Sequence, residues 1–188
     1  MKPVCLIVGA GAGIGGSVGR HFALNGYHAV LCRRTDQEGL QNIVDGIIEK
    51  GGNATGYLLN AIMPGSLEDM ITKVEAEIGA IEVLVYNLGA QIGDLPLSQT
   101  SYKSFERCWQ MATFGLFRAA STLCPLMETR SRGTILVTSA TAAVRGNKYQ
   151  HAHAAAMGGR RLLCQSLNAQ YSEVGLHVAH ILIDGLVD

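Results

Sequence analysis

Short apolar runs rich in β-branched residues alternate along this chain with longer stretches whose apolar positions recur at helical spacing. The pattern predicts strands over 4–8, 28–32, 54–59, 81–86, 134–138 and 177–183. Between them it predicts helices over 14–25, 36–50, 64–78, 102–127 and 151–172, with a Gly-, Pro- and Ser-rich loop over 89–100. Gly26, Gly51-Gly52 and Gly79 follow the first three helices as stop signals, and Pro64 is placed in a first turn. Six buried strands separated by helices imply an α/β, Rossmann-type, doubly wound parallel sheet with helices on both faces. Right-handed crossovers then gather the loops after the strand C-termini on one edge, where ligands bind. No internal repeat or linker divides the chain, so residues 1–188 read as one domain. The chain stops just after the sixth strand. A complete fold is expected to carry a seventh strand and a substrate-covering segment, so a shortened version of it is expected here.

Composition narrows the picture. Of the 188 residues 48% are hydrophobic and 16% charged, with 15 basic and 15 acidic residues balancing to a net charge of zero. No basic stripe supports nucleic-acid binding, and neutrality favours self-association. The apolar runs fall short of the ~20 residues that a membrane span needs. Cys5, Cys32, Cys108, Cys124 and Cys164 are odd in number and form no CxxC pair. That fits a reduced, cytoplasmic setting better than a disulfide framework or a zinc site.

The first strand runs into Gly9-Ala10-Gly11-Ala12-Gly13-Ile14-Gly15-Gly16, and a helix opens there. Glycines allow a sharp turn and close backbone approach, and a helix N-terminus offers free N–H groups to phosphates. This is the construction of a dinucleotide site. Arg33 and Arg34 end the second strand, where an acidic residue usually receives the adenosine ribose. An Arg fork suits a 2′-phosphate, so NADP(H) is expected over NAD(H), with Arg33 the better candidate.

The spacing Gly9-x-x-x-Gly13-x-Gly15 resembles the TGxxxGxG turn of the short-chain dehydrogenase/reductase family, with Val8 at the threonine. Tyr86-Asn87-Leu88-Gly89 resembles its NNAG stretch, matching at Asn87 and Gly89. Ile183-Asp184-Gly185-Leu186-Val187 resembles its PG turn at the nicotinamide. The resemblance spans essentially the whole chain. It implies a cofactor site formed by Gly9, Gly11, Gly13, Ile14, Gly15, Arg33, Arg34, Asn60, Ala61, Asn87, Gly89, Gly185 and Val187. It also implies a small-molecule carbonyl or alcohol substrate and a homodimer or homotetramer joined through the helices at 102–127 and 151–172.

At the catalytic end the chain departs from that family. The YxxxK tyrosine and lysine positions hold His153 and Met157, the serine position holds Ala140, and the asparagine of VNxxG is Ala112. Three readings stay open. In the first, His153 serves as general acid/base and Ser139 or Thr141 orients the substrate oxygen. In the second, the domain binds NADP(H) without turnover, as a sensor or structural subunit. In the third, it is an assembly module without ligand, a reading opposed by the kept glycine turn and Arg33. His151 points away from His153, so no metal pair is expected. Tyr149 reaches the tyrosine position only through a register shift and has no lysine four residues on. Trp109, Phe114 and Phe117 read as core or interface, and Arg160-Arg161 as a solvated face or interfacial ion pair.

Overall fold

In the computed structural model the described residues are 2–90 and 92–185. The strands are β1 (Val4–Val8), β2 (His28–Arg33), β3 (Asn53–Leu58), β4 (Ile81–Tyr86), β5 (Gly133–Ala140) and β6 (Leu176–Ile183). They form one parallel sheet in the order β3-β2-β1-β4-β5-β6. The strand order reverses beside β1, and at that point a crevice opens over the strand C-termini. The helices are α1 (Ile14–Leu24), α2 (Gln37–Ile48), α3 (Ser66–Glu77), α4 (Tyr102–Trp109), α5 (Gly115–Thr129) and α6 (His151–Tyr171).

The two-residue period of β1 distributes the core. Val4, Leu6 and Val8 pack on one face with residues of α3, α5 and α6, including Ile71, Leu123 and Cys164. Cys5 and Ile7 pack on the other with Ala23 of α1 and Leu40, Val44 and Ile47 of α2. A third cluster joins Ala90, Cys108, Ala112, Ala152, Ala156 and Met157 between the loop after β4, α4 and α6. All five cysteines are free and buried; buried thiols pack as small apolar side chains, and that of Cys108 also donates to the Ala90 carbonyl.

Several boundaries differ from the sequence pattern for physical reasons. Pro64 lies before α3, because Gly65 adopts φ 82°, a left-handed conformation that no helix contains, and the helix starts at Ser66. Asp36 is the cap of α2 instead of its first residue, its carboxylate accepting from the Gly39 N–H. The long helix expected over 102–127 is broken into α4 and α5 by a π turn at Gln110–Phe114. Trp109, Phe114 and Phe117 are not core: each is partly exposed, and Phe114 stacks on Phe117 with ring centroids 6.2 Å apart. No described helix is long and apolar enough to cross a membrane.

Candidate active site

Strand register sets the site. Val8 pairs with Cys32 and with Tyr86, and Tyr86 pairs with Val137. The residues that follow these four, Gly9, Arg33, Asn87 and the Thr138-Ser139 pair, therefore emerge together on one edge. Gly9 turns the chain at φ 100°. The Gly9 and Ala10 N–H groups both donate to the Cys32 carbonyl, at 2.9 and 2.8 Å, and pin the turn to β2. α1 then packs so closely that a Cβ on Gly15 would stand 2.2 Å from the Gly9 carbonyl oxygen. Only glycine fits this cradle.

Two adjoining clefts share Asn87 and Leu88 as a common wall. The first, about 340 Å³, is lined by Gly9, Gly11, Arg33, Arg34, Asn60 and Ala61, with Ile62 and Met111. The Arg33 guanidinium meets Asp36 at 2.9 Å while remaining partly exposed, so it is held in place at the cleft. The Asn87 side chain works inside the protein: its amide nitrogen donates to the Gly9 carbonyl at 2.9 Å, and its oxygen accepts from the Thr138 hydroxyl at 2.7 Å. Asn87 therefore ties β4 and β5 to the glycine turn.

The second cleft, about 320 Å³, is lined by Ile14, Gly89, Ser139, Ala140, His153 and Gly185, with Met157 and Arg160 at its floor. Ser139 and His153 are both buried, and Ser139 Oγ and His153 Nδ1 have no partner within the protein. Unpartnered buried polar atoms are costly, and both of these belong to residues that line the second cleft. Burial holds the His153 pKa below the ordinary imidazole value, opposed by the nearby Ala90 carbonyl and assisted by the Arg160 charge. At neutral pH the ring is therefore mostly uncharged.

Several expectations land elsewhere. Thr141 sits in a short 3-10 turn after β5 and lines neither cleft, whereas Ser139 lines the second beside Thr138. Gly13 is exposed at the cap of α1, with no cleft contact. Tyr149 is partly exposed beneath the Lys148 ammonium and away from both clefts. Val187 lies outside the described residues. Arg160 is not on a solvated face: it is fully buried, and its guanidinium donates to three carbonyls. The signal was in the spacing. His153, Met157, Arg160 and Cys164 follow one another at helical intervals, and all four are buried.

A larger cavity of about 740 Å³ lies between α3 and the α4–α5 helix, away from the glycine turn. Its Arg118 is paired with Glu68 and also donates to the Ala61 and Met63 carbonyls. Those contacts brace the fold, and the cavity holds neither unpartnered site group.

Comparison with known proteins agrees with this geometry. The model of the short chain dehydrogenase family matches residues 3–186. The 3-oxoacyl-(acyl-carrier-protein) reductase of Escherichia coli is 26% identical over 185 residues, spanning 98% of this chain and 73% of the relative. A short-chain dehydrogenase from Rhodopseudomonas palustris superposes with a TM-score of 0.92 at 30% identity, covering 97% of this chain and 85% of that one. A metagenomic short-chain oxidoreductase in complex with NADP superposes with a TM-score of 0.92 at 23% identity, covering 98% of this chain and 83% of that one.

Proposed function

The chain belongs to the short-chain dehydrogenase family, and on that premise we propose that it is an NADP(H)-dependent oxidoreductase acting on a small-molecule carbonyl or alcohol, with His153 as its proton-transfer group. The observation that carries this reading is that Ser139 and His153, whose Oγ and Nδ1 are buried without a partner, both line the cleft that adjoins the glycine turn. The cradle that only glycine fits suits a pyrophosphate beside the α1 N-terminus. Gly9, Gly11, Asn60 and Ala61 would hold the adenosine half. Arg33 and Arg34 would receive a 2′-phosphate, which favours NADP(H) over NAD(H).

A nicotinamide held in the second cleft would supply or accept the hydride. His153 then handles the proton. In alcohol oxidation the neutral ring takes the hydroxyl proton as the carbinol hydride leaves. In reduction the imidazolium returns that proton to the carbonyl oxygen, which the Ser139 hydroxyl orients. Because burial lowers the His153 pKa, the base form dominates at neutral pH. Oxidation therefore rises with pH through the His153 titration and then levels, whereas reduction rises toward acid.

The partly exposed Trp109, Phe114 and Phe117 support a homodimer or homotetramer, and five reduced thiols support a cytoplasmic setting. A second reading, a non-catalytic NADP(H)-binding sensor or structural subunit, draws on Ala140 and Met157, apolar residues lining the same cleft, and on the buried Ala112. A panel of carbonyl compounds assayed for NADPH oxidation separates the two. The enzyme reading expects turnover that His153→Gln lowers by about 100-fold or more, with NADPH affinity kept. NADPH binding without turnover on any compound would favour the second reading.

A further inference from the structure

A guanidinium carries five N–H donors in a rigid plane and keeps its charge in proteins. Arg160 is 0% exposed, yet among the described residues no carboxylate pairs with it. Its Nε donates to the Ala112 carbonyl at 3.0 Å, Nη1 to the Thr138 carbonyl at 2.8 Å and Nη2 to the Leu88 carbonyl. The guanidinium lies over the Tyr86 ring, 5.4 Å from its centroid. These carbonyls belong to three separate segments: the turn after β4, the π turn of the long helix, and the end of β5. The π turn takes carbonyls out of helical register. That of Met111 accepts from the Tyr86 hydroxyl at 2.6 Å, and that of Ala112 accepts from Arg160.

The bonds continue beyond Arg160. Thr138, held by its carbonyl, donates its hydroxyl to Asn87, and Asn87 donates to the Gly9 carbonyl. A continuous polar path thus runs from α6, two turns past His153, to the turn that cradles the pyrophosphate. We propose that Arg160 is a positioning residue that locks the proton-transfer end of the cleft to the glycine turn. Cofactor affinity and the protonation of His153 then both depend on a fully buried side chain whose guanidinium nitrogens are committed to backbone carbonyls. The cofactor half of this inference rests on the NADP(H) reading above; the His153 half does not.

The groups packed around His153 make its ring a usable reporter. The loop after β4 presents the Ala90 carbonyl, and β5 presents the Ser139 hydroxyl. α4 presents the Cys108 thiol, which burial keeps protonated while it donates to Ala90. Arg160 lies two turns further along α6, buried like His153, and lines the same cleft.

The test follows His153 by NMR titration of ring-labelled histidine without cofactor, its signal assigned with His153→Gln. His28, held by Thr55 on the far side of the sheet, is the internal control. Arg160→Gln is expected to move the His153 midpoint to higher pH with His28 unmoved, and Arg160→Lys to keep it low. In parallel, Arg160→Gln is expected to weaken NADPH binding about tenfold. Thr138→Val keeps every backbone carbonyl for Arg160 and cuts only the link to Asn87. It is expected to weaken NADPH binding in the same direction and serves if Arg160→Gln fails to fold. An unmoved His153 midpoint in folded Arg160→Gln would overturn the inference, as would native NADPH affinity in Thr138→Val. Should the native protein bind no NADPH, the NADP(H) reading fails, and the His153 titration still decides the electrostatic role of Arg160.

Discussion

Substituting Gly15 and Gly11 separately should divide fold from ligand. A Cβ on Gly15 would sit 2.2 Å from the Gly9 oxygen, 2.8 Å from the Ala10 Cα and 3.0 Å from the Asn87 amide nitrogen. The first two are backbone atoms of a turn pinned to β2 by two hydrogen bonds, so they yield only by breaking those bonds. Overpacking of this kind costs about 1–3 kcal/mol, and each strained hydrogen bond adds about 1 kcal/mol. The helical preference of alanine over glycine returns about 0.8–1.0 kcal/mol. Gly15→Ala should therefore lose about 3 kcal/mol net, which for a typical urea slope of about 2 kcal/mol per molar lowers the unfolding midpoint by about 1.5 M. Gly11 is different: a Cβ there meets nothing within 4 Å, yet the residue lines the first cleft. Gly11→Ala should unfold within about 0.5 kcal/mol of native while binding NADPH markedly more weakly. Urea unfolding followed by circular dichroism, paired with NADPH titration, reads both. A native midpoint for Gly15→Ala, or native NADPH affinity for Gly11→Ala, would refute the reasoning.

Two further outcomes bear on the scaffold. The hydrogen bond from Arg118 holds the Glu68 carboxyl below its ordinary value of 4.5, so its contribution is present above that pH and fades as pH falls through the folded value. The thermal stability gap between native protein and Glu68→Gln should accordingly be widest near neutrality and close in acid; a gap independent of pH would contradict the pairing. In α2 a Cβ on Gly46 meets nothing within 4 Å. Gly46→Ala should add about 0.8–1.0 kcal/mol and raise Tm by about 2–4 °C, measured by thermal denaturation.

The six strands and the glycine turn were legible because each rests on local pattern: a β-branched run, then a glycine where the chain must turn. Arg160 was not. Arginine is read as a surface residue, and only its place in the 153, 157, 160, 164 stripe carried the contrary signal. The π turn left no mark in periodicity, since it depends on acceptors for Tyr86 and Arg160, residues distant in sequence. That Ser139 and not Thr141 lines the second cleft was not legible, because it depends on β5 running through Ala140, which sends Thr141 into the following turn. The place of Arg33 at the first cleft was legible, but its brace by Asp36 was not, because Asp36 reads as part of a helix it actually caps.

The central claim is an NADP(H) site at the glycine turn, selected by Arg33. Fluorescence titration of native protein and Arg33→Ala with NADPH and with NADH tests it most directly. Native protein should bind NADPH more tightly than NADH, and Arg33→Ala should remove most of that preference by loosening NADPH while leaving NADH nearly unchanged. Equal affinity for the two cofactors in native protein, or binding of neither, would contradict it.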